Sequence, residues 1–358
     1  MERFGLVGLP NAGKSSLFNA LAGGGALVAP FPFSTTEANV GVGRVPDERL
    51  DRLAIMSASK KVVHTQVEFV DIGGIAAGAS RGEGLGNRPL HAIRQVDAMV
   101  YVLRAFTDAD VAADADPIEE LQTLEFELAL ADFETLEKQL DKRRKAARAD
   151  KSLAGEVAAM EAAHALVAEG SPIYRGGLSV EQLTLLRPHF LLTTKPVLVV
   201  VNIGEDRLDE GDALAEAVAA ELGGRAEAIA VSVQLEAEAA QLDAGERAEL
   251  LEGLGLGEGA LARFLRTAYH LLGLRTFLTT GDKESRAWTF RAGAKAPEAA
   301  GRIHSDLERG FIRAEVIRWD ELLEIGSWAK AREVGKLRVE GKDYEVQDGD
   351  VLEIRFNV

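Results

Sequence analysis

The sequence predicts an α/β protein whose central parallel sheet is covered by helices. Five short apolar runs rich in Val, Ile and Leu alternate with helical stretches, and each run is apolar on both of its faces. Runs of this kind are typical of parallel strands buried on both sides, and such sheets bind ligands beyond the carboxyl ends of their strands. The predicted strands are Arg3–Val7, Val67–Ile72, Ala98–Leu103, Pro196–Asn202 and Ala228–Val233.

The composition is that of a folded protein. The 358 residues are 47% hydrophobic and 27% charged, which excludes wholesale disorder and low-complexity classes. The longest apolar runs, such as Pro196–Val201, are far shorter than the ~20 residues of a membrane span. Because Met1–Phe4 lead directly into the first strand, we expect a cytoplasmic protein without membrane contact. Cysteine is absent, which excludes disulfides and thiolate metal ligands.

A long helical segment separates the third predicted strand from the fourth. Between residue 117 and about residue 190, apolar residues recur mostly at steps of three or four, which predicts two amphipathic helices in an antiparallel hairpin with a bend near Ala149–Ser152. The segment Lys138–Lys151 contains seven basic and two acidic residues, although the whole chain has a net charge of −16. This segment is a candidate RNA contact, and a solvated helical face is the simpler interpretation.

The C-terminal residues form a separate pattern. A strand at Arg286–Phe290, a helix at Ala296–Leu307 and short strands ending in Val351–Phe356 predict a small α+β module. The predicted organisation is therefore a sheet domain of residues 1–116 and 191–275, an inserted hairpin of residues 117–190, and a C-terminal module of residues 276–358.

Gly8–Ser15 matches the phosphate-loop pattern G-x-x-x-x-G-K-[ST] without a gap. The loop follows a predicted strand and opens a predicted helix at Lys14–Leu21, which is the context that confirms the motif. Its backbone N–H groups and the helix N-terminus are expected to hold phosphate, with Lys14 on the β- and γ-phosphates and the Ser15 hydroxyl on Mg²⁺. The residues predicted to bind nucleotide here are Asn11, Ala12, Gly13, Lys14, Ser15 and Ser16.

Two further segments resemble nucleotide-sensing switches. Asp71–Gly74 has the pattern D-x-x-G at the end of the second strand, so Asp71 is expected to reach Mg²⁺ through a water and the Gly74 N–H to bond the γ-phosphate. The glycine-rich residues 78–87 that follow suggest a mobile loop. A switch threonine that binds Mg²⁺ is expected earlier in the chain, and both Thr35 and Thr36 qualify by chemistry.

The segment Asn202–Glu205 stands where guanine-specific proteins have N-K-x-D. The Asp of that motif accepts two hydrogen bonds from guanine and the Lys stem covers the base, but this chain has Ile203 and the longer Glu205. Adenine has no N1–H and no N2 amino group, so we predict a preference for ATP over GTP, with Asn202 meeting N7 and N6. Ser232 and the two residues after it are expected to close the base pocket with backbone donors.

These motifs together resemble the Obg-like ATPase family (YchF), a branch of the translation-factor class of P-loop proteins. The resemblance covers essentially the whole chain and includes GLPNAGKSSLFNAL, FPFSTTEAN, EFVDIGGI, GASRGEGLGN, VNIGE and RAWTFRAGAKAPEAAGRIHSDLERGFIRAEVI. It implies a P-loop NTPase domain (G domain), an inserted helical hairpin and a C-terminal TGS domain of ubiquitin-like fold. It also implies ATPase activity with Mg²⁺ and association with the ribosome.

The resemblance also implies roles for single residues. Thr35, not Thr36, matches the family's Mg²⁺ threonine, so Lys14, Thr35 and Gly74 are the predicted catalytic residues. Asn11 matches a residue that helps to bind K⁺ in related proteins, and a turn residue with an unusual backbone is the alternative. The Ile203 backbone is implied to contact adenine.

Two positions complicate the catalytic mechanism. Ile75 stands where many relatives in the wider class place a glutamine that orients the attacking water, and the resemblance makes this replacement a family trait. Members of the family often have a histidine in the loop after the third strand, but Ala113 occupies that place here. Among the six histidines of the chain, only His91 lies near the switch loop in sequence.

Three functions remain open from the sequence. The first is an ATPase that acts as a switch at the ribosome, the second is an Obg-type GTPase, and the third is a nucleotide-gated ribosome- or RNA-binding protein with incidental hydrolysis. The expected partners are ATP and ADP, the ribosome, and rRNA or tRNA through the hairpin and the TGS domain.

Overall fold

The computed structural model describes residues 2–22, 29–30, 39–75, 87–107 and 115–357. In these ranges the strands are β1 Arg3–Val7, β2 Ala29–Pro30, β3 Asn39–Arg44, β4 Val62–Val63, β5 Gln66–Asp71, β6 Ala98–Ala105, β7 Val197–Ile203, β8 Glu227–Val231, β9 Leu274–Thr279, β10 Ser285–Arg291, β11 Phe311–Arg318, β12 Arg338–Glu340 and β13 Asp350–Phe356. The α-helices are α1 Lys14–Ala22, α2 Glu48–Met56, α3 Asn87–Arg94, α4 Pro117–Ala149, α5 Ala154–Ala168, α6 Val180–Leu186, α7 Gly211–Glu221, α8 Val233–Ala239, α9 Ala244–Gly253, α10 Ala260–Leu271, α11 Ala296–Ile303, α12 Ser305–Arg309, α13 Trp319–Ile325 and α14 Trp328–Glu333.

The described chain divides into two compact units, Met1–Gly43 with Glu68–Phe264, and Arg44–Val67 with Leu265–Val358. The first unit contains a sheet of order β2-β3-β5-β1-β6-β7-β8 among the described strands. The pairs that join β5, β1, β6, β7 and β8 are all parallel, and every residue of β6 and β7 is buried. The five strands predicted for this sheet are confirmed, each within two residues of its predicted ends.

The predicted hairpin is also confirmed. Helix α4 is 33 residues long and ends at Ala149, and a 3-10 turn at Lys151–Leu153 leads into α5, which packs back along α4. Asp150 caps the turn because its carboxylate accepts the Ser152 N–H at 2.9 Å. The two helices share a buried core of small and apolar side chains, which are Ala129, Leu136, Leu140, Ala159, Met160, Ala163 and Val167.

The base of the hairpin is fixed by one buried carboxylate. Asp132 on α4 is completely buried and accepts hydrogen bonds from the Leu192 N–H, the Thr193 N–H and the Thr193 hydroxyl, each at 2.7 Å. These bonds fasten α4 to the segment that leads into β7. Burial raises the pKa of Asp132 to about 6, although the three donors oppose this change.

The second unit differs from the predicted C-terminal module because it includes residues 44–67. Its sheet has the order β12-β11-β13-β9-β10-β4 among the described strands, and β4 pairs in parallel with β10. Leu50 and Leu53 of α2 are fully buried in a cluster with Leu278 and Val351. Residues 44–67 are predicted in the first domain as part of residues 1–116. An amphipathic pattern such as that of α2 shows which face of a helix is buried and not which core receives it.

The predicted single helix Ala296–Leu307 is wrong, since the structure has two helices there. His304 between them has extended backbone angles of φ −162° and ψ 144°, and its imidazole accepts the Asp306 N–H at 3.2 Å as the N-cap of α12. Over the described ranges, no helix combines the length and the apolar character needed to cross a bilayer.

Candidate nucleotide-binding site

The phosphate loop joins β1 to α1 at the carboxyl edge of the first sheet. Two of its glycines are required by close contacts. A Cβ at Gly8 would lie 2.4 Å from the Val102 carbonyl oxygen, and one at Gly13 would lie 2.2 Å from Asn202 Nδ2. Gly13 also has φ +91°, a conformation that side chains disfavour. The loop therefore approaches two neighbouring strands closely while it leads into the helix N-terminus, where unpaired N–H groups can hold phosphate.

Asn11 has φ 64° and is one of three non-glycine residues with positive φ within the described ranges. Asparagine tolerates the left-handed conformation better than most residues, so the turn role foreseen for Asn11 is confirmed. Its side chain is exposed and lines the cavity described below, which leaves the proposed K⁺ role to experiment.

Lys14 is almost buried and its Nζ donates to the Leu9 carbonyl at 2.8 Å. Burial lowers the pKa of Lys14, and the carboxylates of Asp71 and Glu120 oppose this change. The ammonium group thus rests on the backbone of the loop that it would serve. A polyphosphate that enters the loop would offer this cation an anionic partner.

The predicted metal ligands Ser15 and Asp71 are brought together. The Ser15 hydroxyl donates to Asp71 Oδ2 at 2.7 Å, although the two residues belong to α1 and β5. A hydroxyl and a carboxylate are hard oxygen donors of the type that Mg²⁺ prefers, and Mg²⁺ typically keeps several waters. These residues therefore fit the ion, which would screen the negative charge of the phosphates when bound.

The D-x-x-G segment lies against the phosphate loop. The Ile75 N–H donates to the Gly8 carbonyl at 3.0 Å, and a Cβ at Gly74 would lie 3.2 Å from the backbone of Pro10. Ile75 itself is fully buried in the core of the first unit. Its side chain therefore packs inward and cannot orient water, as the sequence analysis predicted from its apolar chemistry.

At the other end of the site, Asn202 connects the phosphate loop to α8. This residue is the penultimate one of β7 and is 5% exposed. Its Nδ2 donates to the Ala12 carbonyl at 3.1 Å, and its Oδ1 accepts the Val233 N–H at 3.3 Å. The amide retains one N–H and one lone pair after these two bonds. Asn202 thus positions the loop and has capacity left for a base.

A cavity of about 880 Å³ opens beside Asn202. Of the residues predicted to bind nucleotide, Asn11, Gly13, Ser16, Asn202, Ile203 and Glu205 line it. The Ile203 side chain is buried in the core, whereas Glu205 is exposed at the start of a 3-10 turn. Phe106 and Thr107, which directly follow β6, also line the cavity, and the sequence analysis missed them as site residues. The signal that could have found them is their position directly after a parallel strand.

Ser232 is placed differently from the prediction. It lines a neighbouring cavity of about 590 Å³ that shares the wall residue Ile203, and Val233 and Gln234 line the base-side cavity instead. The Ser232 hydroxyl is buried without a hydrogen-bond partner in the described part of the chain. Of the three residues predicted to close the base pocket, Val233 and Gln234 thus line its cavity, and the Val233 N–H is donated to Asn202 Oδ1.

Several predicted features lie outside the described residues: Thr35, Thr36, residues 78–86 of the glycine-rich loop, and Ala113. His91 is described on α3, where it is exposed and its Nδ1 lies 3.5 Å from the Gln95 amide nitrogen.

Comparisons with known proteins agree over the whole length. Residues 3–140 match a family described as 50S ribosome-binding GTPase, and residues 274–357 match the YchF-GTPase C-terminal family, described as a protein of unknown function. A Bacillus subtilis protein named ribosome-binding ATPase YchF is 46% identical to this chain, and a Haemophilus influenzae protein of the same name is 44% identical, with 99% of both chains covered in each case.

A solved structure described as the Schizosaccharomyces pombe YchF GTPase shares this fold. It is 33% identical and has a TM-score of 0.86 over 99% of this chain and 97% of its own. Identity at this level over full length, together with a common fold and an intact phosphate loop, establishes that the chain belongs to the YchF family.

Proposed function

We propose that this protein binds and hydrolyses ATP with Mg²⁺ and that the bound nucleotide controls its association with the ribosome in the cytoplasm. The observation that carries the proposal is the complete phosphate loop, whose Ser15 hydroxyl meets the Asp71 carboxylate at 2.7 Å. The names of the bacterial relatives, ribosome-binding ATPase YchF, support ATP hydrolysis and ribosome association.

Within this proposal, Lys14 neutralises phosphate charge and Gly74 donates its N–H to the terminal phosphate. Ser15, Thr35 and Asp71 hold Mg²⁺, and Asn11 helps to hold a K⁺ ion. Lys14 is favoured as the fixed cation because it is already desolvated next to the phosphate loop. Because Ile75 is buried, the residue that aligns water must belong to another segment or to the ribosome.

The preference for ATP follows from the base end of the site. The Ile203 side chain points into the core, so it cannot cover a guanine base as a lysine stem does. Glu205 lines the cavity in place of the shorter aspartate that guanine-specific sites use. Neither residue reproduces the two hydrogen bonds that an aspartate accepts from guanine, so the site has no special affinity for GTP.

GTP hydrolysis is the second candidate. It is favoured by the description of the matched N-terminal family as a GTPase and by the same word in the description of the fission yeast structure. A third candidate, nucleotide-gated binding with incidental hydrolysis, is favoured by the buried Ile75.

The basic end of α4 is the proposed RNA contact. Arg143 and Arg144 are occupied by ion pairs with Glu156 and Glu161 at 3.1 and 2.8 Å. Four other cations of the segment are exposed and have no ion-pair partner within the described residues, namely Lys142, Lys145, Arg148 and Lys151. Unpaired cations near the bend of a hairpin suit a phosphate backbone, and the TGS domain is a second candidate contact.

Co-sedimentation with ribosomal subunits tests the proposal. We expect the wild-type protein to bind ribosomes differently with ADP than with a non-hydrolysable ATP analogue, and Lys14→Ala to lose this difference. Added ribosomes should also raise ATP turnover. Equal sedimentation with both nucleotides would contradict nucleotide control of ribosome binding. ATP turnover that ribosomes do not change would favour the third candidate, a binding protein with incidental hydrolysis.

The hairpin contact has its own matched control. Lys142→Gln with Lys145→Gln should weaken sedimentation and reduce its salt dependence, because two phosphate contacts are lost. Lys138→Gln with Arg144→Gln removes the same charge from side chains that already pair with Glu134 and Glu161, and this variant should sediment almost normally. If both variants lost ribosome binding equally, the effect would depend on net charge alone and not on these two lysines.

A further inference from the structure

Strand β8 forms an open edge of the sheet in the first unit. Among the described strands it is the last in the order and pairs with β7 alone. Within the described ranges, residues 228–230 make no backbone hydrogen bond outside this pairing. The N–H and C=O groups on the outer side of such a strand have no partner strand, so they can pair with an added chain.

Two adjoining cavities lie along this edge. A cavity of about 130 Å³ is lined by three successive residues of β8, namely Ala228, Ile229 and Ala230, and by α7. Because successive strand residues point to opposite faces, a cavity that touches all three lies at the free edge of β8. The cavity of about 590 Å³ continues it, since the two share four wall residues, which are Asp212, Ile229, Ala230 and Arg263. We call the two cavities together the β8 groove.

The larger cavity of the β8 groove has apolar walls and one buried hydroxyl without a partner. Its apolar side chains include Leu208, Leu235 and Leu254, and Ser232 lines it as well. Ser232 is 5% exposed, and its hydroxyl makes no hydrogen bond within the described residues. A buried hydroxyl costs free energy until it is paired, so a polar group of a ligand would stabilise it. This cavity suits a long side chain with an aliphatic stem and a polar end.

The exposed walls of the β8 groove are negatively charged. Asp209, Asp212 and Glu216 line it, are exposed, and make no ion pair or side-chain hydrogen bond within the described residues. Arg263 is the one cation among the described residues that line the groove. Carboxylates in this excess attract lysine and arginine side chains and repel the phosphates of a nucleic acid. The charge therefore favours a basic protein segment over RNA.

We infer that the β8 groove binds an extended basic segment of a partner protein, which joins the sheet as a strand beside β8 and sets lysine or arginine side chains against Asp209, Asp212 and Glu216. Main-chain hydrogen bonds to the open edge supply affinity in this mode of recognition, and the side-chain pockets supply specificity. The larger cavity takes the stem of one long side chain. The inference goes beyond the proposed function, because this contact needs no nucleotide.

A synthetic peptide and the full-length protein test the inference by fluorescence anisotropy. The probe is a labelled nine-residue peptide that alternates lysine with valine, and we expect saturable binding with a Kd below about 1 mM. The same peptide with glutamate in place of lysine should not bind. A lysine peptide methylated at every backbone nitrogen should bind at least about tenfold more weakly, because it cannot donate main-chain hydrogen bonds to β8.

Two double variants separate the groove from the net charge of the protein. Asp212→Asn with Glu216→Gln should weaken binding of the lysine peptide about three- to tenfold, because two ion pairs are lost. Glu249→Gln with Glu252→Gln is the matched control, since it removes the same charge from exposed residues of α9 that do not line the groove. This control should bind the peptide as the wild type does. Equal weakening in both variants would overturn the inference.

Hydrogen exchange locates the bound peptide. Amides of residues 227–231 should exchange more slowly with the lysine peptide than without it, because the outer side of β8 gains a partner strand. Three results would each overturn the inference. They are the absence of saturable binding, equal binding of the lysine and glutamate peptides, and protection by the peptide that excludes β8.

Discussion

The phosphate end and the base end of the candidate nucleotide site differ in what gives each of them its shape. The phosphate end is fixed by backbone, since Gly8 and Gly13 allow contacts that no Cβ would permit and Ile75 bonds the loop through its N–H. The base end is formed largely by side chains around one cavity, among them Asn202 and Glu205. Phosphate binding is therefore common to all nucleotides, whereas the choice of base depends on a few replaceable side chains.

The largest effect is expected from Lys14→Ala, which should impair ATP and GTP alike. The variant removes the desolvated cation at the phosphates, and losing one preorganised charge typically slows turnover about 10²- to 10³-fold. Steady-state turnover with both nucleotides would measure it. Lys195→Ala is the control, because Lys195 is a half-buried lysine that donates to the Arg94 and Val96 carbonyls away from the loop. That control should lower stability and keep nucleotide binding, and the same loss in both variants would argue against a phosphate role for Lys14.

Replacement of K⁺ by Na⁺ should slow hydrolysis about tenfold to a hundredfold and leave nucleotide affinity largely unchanged. The reason is that a K⁺ ion at Asn11 would supply positive charge that an arginine supplies elsewhere, and Na⁺ fits such a site poorly. Asn11→Gly should remove the ion dependence, because glycine accepts φ 64° without strain while the amide is lost. Equal rates in both salts would leave Asn11 as a turn residue only.

The base end should respond to changes that leave the phosphate end intact. Ile203→Lys with Glu205→Asp restores the guanine-reading chemistry, so the ratio of GTP to ATP affinity should rise by roughly tenfold, the low end of what one pocket contact discriminates. Titration with fluorescent nucleotide analogues would measure both affinities. Asp206→Asn, at another residue that lines the cavity, should leave the ratio unchanged. An unchanged ratio of GTP to ATP affinity in the double variant would show that these two positions do not determine the choice of base.

The smallest effect on nucleotide chemistry is expected from Asp132→Asn, since this carboxylate anchors the hairpin away from the site. The variant should cost about 1–3 kcal/mol of unfolding free energy, because the new amide opposes the Thr193 donors. Its effect depends on pH. Burial raises the pKa of Asp132 from 3.8 to about 6 in the folded state, so the contribution of this group to stability is fully present below pH 3.8 and is lost as the pH rises through about 6. Urea unfolding at several pH values would measure the difference in unfolding free energy between the wild type and Asp132→Asn. We expect this difference to shrink as the pH rises over this range, and a difference that grows with pH would contradict the prediction.

The sequence predicted those features that depend on local signals. β1 has the predicted bounds, and the phosphate loop occupies the predicted strand-to-helix junction because its glycines, Lys14 and Ser15 are adjacent in the chain. The bend of the hairpin was predictable since Asp150 and Ser152 form a local cap. Each of these features is set by residues within a few positions of one another.

Features that depend on distant partners were missed or misplaced. Residues 44–67 join the second unit through contacts such as Arg49 with Asp348 at 2.6 Å, and nothing near Arg49 in the sequence indicates this partner. The predicted helix is interrupted at His304, whose ring caps the next helix. The spacing of apolar residues does not indicate such a cap. Phe106 reaches the base-side cavity because β6 ends beside β7, which is a property of the sheet and not of the segment.

The most direct test of the central claim is equilibrium competition between ATP and GTP for the wild-type protein in the presence of Mg²⁺ and K⁺. The phosphate end is indifferent to the base, so any preference must come from Asn202, Ile203, Glu205 and the cavity that they line. We expect ATP to displace a fluorescent nucleotide at a lower concentration than GTP does. Equal displacement, or tighter binding of GTP, would contradict the assignment of this site to ATP.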